Sequence, residues 1–252
     1  MDCSARRGFC FKEVNFVLSC FERTELMLGK ENMEKLRNAR VAVIGLGGVG
    51  SAAGEALLRA GVGHLLFIDG DKVDDSNRNR QLIATTETVG LDKVEAARLR
   101  YTSICPETDM TFMKEFYLPE NSNFLYDWKP DYIVDAIDTV TAKLHIALRA
   151  RELGIGLIMC LGTGNRLKPE MLKIGDISET AGCGCPLARV MRRELKRRGI
   201  ERQNVLYSTE EPLKAIVEGG ENGRHAPGSI SFVPPAAGYI IAGKCVRDII
   251  ER

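Results

Sequence analysis

No two cysteines in this chain of 252 residues are spaced CxxC, although it holds eight: Cys3, Cys10, Cys20, Cys105, Cys160, Cys183, Cys185 and Cys245. Two such pairs would close a tetrahedral thiolate site around zinc. Their absence predicts no zinc of that type, and the one close pair, Cys183 and Cys185 in "CGC", reads as a loop before a helix that begins at Pro186. The thiols are scattered in a chain too long to need disulfide staples, which predicts a reducing, cytoplasmic setting. Histidine is scarce: His64, His145 and His225 show no metal or triad spacing. No run of eighteen or more apolar residues occurs, so no membrane span is predicted. A formal net charge of only +1 excludes a surface that traps polyanions everywhere and confines any nucleic-acid site to a local patch. Arg6 and Arg7 precede a short apolar run, but Lys12 and Glu13 interrupt it and no small-residue cleavage site follows. Residues 1–20 therefore read as an N-terminal extension rather than a signal peptide.

What is present is alternation. Residues 31–38 read as a short helix leading in. "RVAVIG" (Arg40 to Gly45) is an apolar run of strand length, and "SAAGEALLRAG" follows with helical spacing at Ala53, Ala56, Leu57 and Ala60. Gly61 is the predicted stop, and "HLLFID" a second strand. A βαβ unit implies parallel strands. The pattern repeats through "MTFMK", "DYIVDAID" and "GLIMC" with helices between them, then loosens beyond Gly162. The fold expected is α/β, a Rossmann-like doubly wound and mostly parallel sheet with an antiparallel C-terminal portion. Its core spans about 39–165 and its C-terminal part about 166–252, one unit from residue 21 onward. The stretch Pro212 to Ser229, rich in Gly, Glu and Asn, reads as a mobile loop.

The glycines of "GLGGVG" (Gly45, Gly47, Gly48, Gly50) stand between a strand and a helix, where backbone N–H groups and the helix N-terminus can meet phosphate oxygens. Asp69 ends the second strand, where a ribose-binding acid falls. These features alone suit an NAD site equally well. The next segments add cations and acids that a nicotinamide does not need. "IDGDKVDDSNRNRQ" carries Asp71, Asn77 and Arg80, Lys93 opens a helix, and Asp138 in "DAIDT" follows a central strand. Arg80 and Lys93 are placed to neutralise a triphosphate and Asp138 to hold its Mg²⁺. Taken singly, each has a plain alternative: a turn cap, a surface ion pair, a solvated helix face.

Together "RVAVIGLGGVGS", "IDGDKVDDSNRNRQ", "VGLDKVEAA" and "VDAIDT" resemble the ubiquitin-activating-like superfamily, whose bacterial members include the molybdopterin and thiamine adenylyltransferases. The resemblance runs from about Phe21 to the C-terminus. It implies ATP with Mg²⁺, acyl-adenylate formation and a homodimer. By motif, it implies that Gly45 to Gly50 cradle phosphates and that Asp69 binds ribose. Asn77, Arg80 and Lys93 would contact phosphates and Asp138 would bind Mg²⁺. Arg23, in "FERTELMLG", matches an arginine that reaches the neighbouring subunit's ATP. Members that activate a sulfur-carrier protein bear two CxxC pairs, which this chain lacks.

The segment "CPLARVMRRELKRRGI" predicts a helix with Leu187, Val190, Met191 and Leu195 on one face and Arg189, Arg192, Arg193, Lys196 and Arg197 on the rest. A basic amphipathic helix can present cations to phosphates, with Arg192, Arg193, Lys196 and Arg197 the expected contacts to an RNA backbone, and a solvated face is its alternative. With "VLYSTEEP" and "PGSISFVPPAAGYIIAGKCVRDII", it is similar to the bacterial tRNA threonylcarbamoyladenosine dehydratases. That resemblance implies adenylation of the threonyl carboxylate of a modified adenosine in tRNA, ring closure with loss of AMP, and a link to a cysteine desulfurase system. The ring-closing nucleophile lies within such a substrate, so Cys160 and Cys185 read as inert thiols rather than covalent catalysts. Two other readings stay open: a carrier-protein adenylyltransferase without zinc, and an NAD-binding Rossmann protein.

Overall fold

Strand-length apolar runs and helices alternate along the chain, and in the computed structural model, which describes residues 19–214 and 227–252, they form one seven-stranded sheet. Helix α1 (Glu22–Asn38) precedes β1 (Arg40–Ile44), α2 (Gly50–Ala60) and β2 (His64–Ile68). Then come α3 (Lys93–Thr102), β3 (Asp109–Met113), α4 (Asn123–Asp127), β4 (Tyr132–Asp135), α5 (Val140–Leu153) and β5 (Gly156–Cys160). The chain closes with β6 (Leu172–Asp176), α6 (Pro186–Arg197), β7 (Asn204–Ser208) and α7 (Val233–Ile250). The strand order is β3-β2-β1-β4-β5-β7-β6. All neighbours are parallel except β6 and β7, which run antiparallel from Leu172 opposite Ser208 to Asp176 opposite Asn204. The sheet thus continues past residue 165, and its antiparallel pair lies in the C-terminal part, as expected.

Alternation of side chains along β1 supplies both apolar layers. Val41 and Val43 face a core shared with α1, α2, α3 and α7, while Ala42 and Ile44 face one shared with α5 and α6. The period-two pattern is invisible in the sequence because both faces are apolar, as a strand covered on two sides must be. Two elements differ from expectation. Helix α1 starts at Glu22 rather than near residue 31, and Gly29 interrupts it at φ 78°, ψ 163°, so the expected segment is only its second half. Helix α2 is buried over most of its surface, not along one stripe, because α7 packs along its outer side. There a Cβ on Gly238 would strike the carbonyl oxygen of Val49. Among the described residues no helix is long and apolar enough to cross a membrane. Residues 1–18 and 215–226, which include His225 and most of the expected loop and N-terminal extension, lie outside the described residues.

Candidate active site

The chain passes from β1 to β2 and β3 on one side, then returns to lay β4 on the other side of β1. Parallel strands that diverge in this way leave a crevice beyond their carboxyl ends. A cavity of about 380 Å³ opens there, within the range of small-molecule sites. Gly45 and Gly47 line it after β1, Asp69 and Asp71 after β2, Lys93 at the start of α3, and Asp138 after β4. Phe116 and Tyr117 after β3, Cys160 to Gly164 after β5, Leu187 of α6 and Pro227 complete the wall.

The glycine turn does two different jobs. Gly45 adopts φ 89°, and a Cβ there would sit 2.9 Å from the Ala136 carbonyl oxygen. A Cβ on Gly50 would run into the carbonyl of Gly45, and one on Gly48 would lie 2.8 Å from Cβ of Pro234 in α7. Gly48 and Gly50 therefore let chain segments approach each other. Gly47 alone faces open space, since a methyl group at its Cα would meet nothing within 4 Å, and it borders the cavity.

Asp69 is buried and holds this turn in place. Its Oδ2 accepts from the Leu46 N–H at 2.6 Å and its Oδ1 from the Asp71 N–H at 2.8 Å. Burial pushes its carboxyl above the usual range, against the pull of Lys93 and the two N–H donors. The Lys93 ammonium lies 2.8 Å from Asp71 Oδ2 and 3.7 Å from Asp69 Oδ2. One buried cation thus sits between two carboxylates.

Asp138 is exposed at the cavity, three residues beyond β4, and sequence reasoning missed what holds its loop. Asp135 and Lys143 are both fully buried, with Lys143 Nζ 2.8 Å from Asp135 Oδ1. The same oxygen accepts from the Ile137 N–H at 3.3 Å, which fixes the turn between strand and Asp138. The signal available was an aspartate closing a buried apolar run, with a lysine one helical turn into α5. Beside this pair Cys160 is buried, and burial pushes its thiol up to about 12, so it is protonated at neutral pH. Cys185 is buried too, and its Sγ accepts from the Ala188 N–H at 3.4 Å as the cap of α6. Both thiols are buried, as the sequence suggested.

On the opposite flank the Phe116 ring lies over Gly70, where a Cβ would come within 2.6 Å of it. The Tyr117 hydroxyl bridges the Tyr126 hydroxyl (2.7 Å) and His145 Nδ1 (2.8 Å). At the rim Asn165, at φ 57°, accepts from the Gly228 N–H on its Oδ1 at 2.6 Å and from the Leu213 N–H on its carbonyl at 2.9 Å. It thereby ties Leu213 and Gly228 to the turn that lines the cavity.

Several expected residues lie off this wall. Asn77 caps a short 3₁₀ turn, accepting from the Asp74 N–H at 3.1 Å. The Arg80 guanidinium donates to the Ser76 carbonyl and to Asn79 Oδ1, both at 2.8 Å, while its backbone packs behind Gly48. Arg23 is exposed on α1 and does not border its own chain's cavity. Among the described residues no three or more His, Cys, Asp or Glu side chains gather as a metal cage.

The basic helix forms as expected, over Pro186–Arg197, with Ala188, Met191 and Leu195 buried. Its cations divide. Arg192 donates to the Thr180 carbonyl at 2.8 Å and its Oγ1 at 2.9 Å. Arg193, Arg197 and Arg198 all pair with Glu194, whose carboxyl they hold down at about 2. Lys196 has no carboxylate partner among the described residues.

Comparison with known proteins adds four findings. The chain is 39% identical to the tRNA threonylcarbamoyladenosine dehydratase of Bacillus subtilis, over 93% of this chain and 96% of that one. It is similar in structure to E. coli tRNA N6-threonylcarbamoyladenosine dehydratase in complex with AMP, at a TM-score of 0.83 and 29% identity, covering 91% of this chain and 93% of that one. The same E. coli protein in complex with ATP matches at a TM-score of 0.82 and 29% identity, covering 92% and 93%. A profile of the ThiF family matches residues 22–247, nearly the whole length, and the chain belongs to that family.

Proposed function

We propose that this chain is an ATP-dependent tRNA threonylcarbamoyladenosine dehydratase. The observation that carries the reading is the end-to-end likeness to the Bacillus dehydratase, which leaves no large part of either chain unmatched. A crevice at the switch point of the sheet, bordered by an open glycine and by both acids and a lysine, supports it. The missing CxxC pairs set it apart from a zinc-bearing carrier-protein adenylyltransferase.

The substrate carboxylate oxygen attacks the α-phosphorus of ATP, and pyrophosphate leaves. A nucleophile within the same side chain then attacks the activated carbonyl carbon and loses its proton, and AMP departs with the carboxylate oxygen. The substrate is thereby the poorer by one water. The protein's part is to position and to stabilise charge. The turn at Gly47 brings backbone donors to the phosphates, Asp69 holds the turn, and Lys93 exchanges Asp71 for a phosphate oxygen. Asp138 suits Mg²⁺, which is bound by one or two carboxylates together with substrate phosphates rather than by a full protein cage. Bound there with ATP, it would neutralise phosphate charge. Arg80 joins the phosphates by releasing Ser76 and Asn79, and Asn77 keeps that loop in shape.

The reading includes a homodimer, in which Arg23 completes the partner's site. Leu26 and Met27, next to it on α1, are 88% and 77% exposed, an apolar surface suited to a second copy. Its setting is the cytoplasm, where tRNA is modified, with a cysteine desulfurase system as a further partner. The test is nucleoside mass spectrometry of tRNA incubated with the protein, ATP and Mg²⁺. Loss of one water from threonylcarbamoyladenosine, dependent on ATP and matched by AMP release, is expected. Unchanged nucleoside, with AMP formed only on adding a carrier protein, overturns the reading.

A further inference from the structure

The first turn of α6 belongs to the cavity wall, through Leu187, and the rest of the helix leads away from it. Along one side of α6, Arg189, Arg193 and Lys196 follow at spacings of four and three residues, which puts them in a single stripe. This stripe borders a second cavity of about 670 Å³, lined also by Ile177, Ser178, Ile200 and Glu201. Ile177 and Ile200 are each 3% exposed and form an apolar floor.

The cations are not equivalent. Arg192 is spent on Thr180. Arg197 points to Glu194 and does not border the groove. Arg189 and Lys196 are exposed, border the groove and have no carboxylate partner among the described residues, and Arg193 shares Glu194 with two other arginines. At about 1.5 Å per residue, the stripe from Arg189 to Lys196 runs for about 10 Å. A stripe of that length can meet more than one phosphate of a nucleic-acid strand.

We infer that this groove holds the RNA strand flanking the nucleotide that enters the cavity, with Arg189 and Lys196 on its phosphates. The inference rests on the tRNA reading above and adds where the rest of the RNA lies. The two cavities are bordered by the same helix, through Leu187 and Arg189, so a strand that continues past the reacting base has α6 to follow. A membrane surface is disfavoured, because among the described residues none of the large exposed apolar side chains lies on α6 or lines the groove.

The experiment compares the full-length protein with Arg189→Gln/Lys196→Gln and, as a control off the groove, Arg197→Gln. Binding of a threonylcarbamoyladenosine-containing tRNA is measured over a range of KCl. The double variant is expected to lose affinity about tenfold at 0.1 M salt and to show a salt slope shallower by about 2. The control keeps both, and ATP binding and melting temperature stay unchanged in all three. Unaltered affinity and slope in the double variant overturn the groove assignment, even where the protein cyclises the nucleoside normally. So does binding of wild type, but not the double variant, to vesicles of anionic lipid with no change for tRNA. A wild-type protein that neither binds nor cyclises tRNA overturns this inference together with the functional reading.

Discussion

A methyl group on Gly47 would project into free space at the cavity, while one on Gly50 would collide with the Gly45 carbonyl. The two substitutions therefore separate ligand approach from folding. Gly47→Ala is expected to melt at or slightly above the wild-type temperature, since alanine restrains the unfolded chain. Its ATP affinity should fall about tenfold, through overpacking against the phosphates. Gly50→Ala should lose more than about 3 kcal/mol, because backbone must move to admit it. Calorimetric titration and thermal melts check both, and full ATP affinity in Gly47→Ala would remove the phosphate role of the turn. At this scale the sequence was informative wherever a residue's place follows from its own strand. Asp69 and Asp138 stand one and three residues past strand ends, so both meet the crevice. Partnerships were not legible. Nothing local says that Lys93 is claimed by Asp71 or that Arg80 turns back to Ser76, because each depends on the side-chain geometry of a folded neighbourhood.

Between elements, Glu55 of α2 shows how charge joins two helices. Its Oε1 accepts from Arg59 Nε at 2.9 Å and its Oε2 from Arg100 Nε of α3 at 2.6 Å, while the Tyr101 hydroxyl donates to the Ser51 carbonyl at 2.7 Å. Burial pushes the Glu55 carboxyl up, but the hydrogen bonds from Arg100 and Arg59 outweigh it and hold it below the usual range. A carboxyl depressed in the folded state stabilises above its unfolded value of about 4.3, and that stabilisation is lost as pH falls through the folded one. Both arginines are partly exposed, so screening limits the effect to about 1 kcal/mol. Glu55→Gln should therefore unfold at lower urea than wild type at pH 7, and the two midpoints should converge below pH 4. A gap that is the same at both pH values would mean that packing, not charge, is responsible. Element types were legible in the sequence because strand-length apolar runs and helical spacing are local. The extent of α1 was not, since only Met33 and Leu36 in its second half are buried and Gly29 breaks its period. Nor was the burial of α2, which is imposed by a helix nearly two hundred residues further along the chain.

For the whole molecule, the decisive question is whether a site draws on two chains. Arg23 lies on α1, away from its own cavity, and Asp138 lies in it, so each can be disabled in a different subunit. Arg23→Ala and Asp138→Asn homodimers should each be nearly inactive, and a mixture should recover up to about a quarter of wild-type turnover, from the one intact site in each mixed dimer. No recovery after subunit exchange, verified by light scattering of tagged chains, would confine the site to a single chain. The order in which the chain is made bears on that site as well. The glycine turn is translated early, yet Pro234 backs Gly48 and Gly238 backs Val49, both from α7 at the far end of the chain. A chain still on the ribosome thus has β1, β2 and the turn in hand but not the helix that braces them. A braced glycine turn is accordingly expected only once α7 has been made, however early β1 and β2 form.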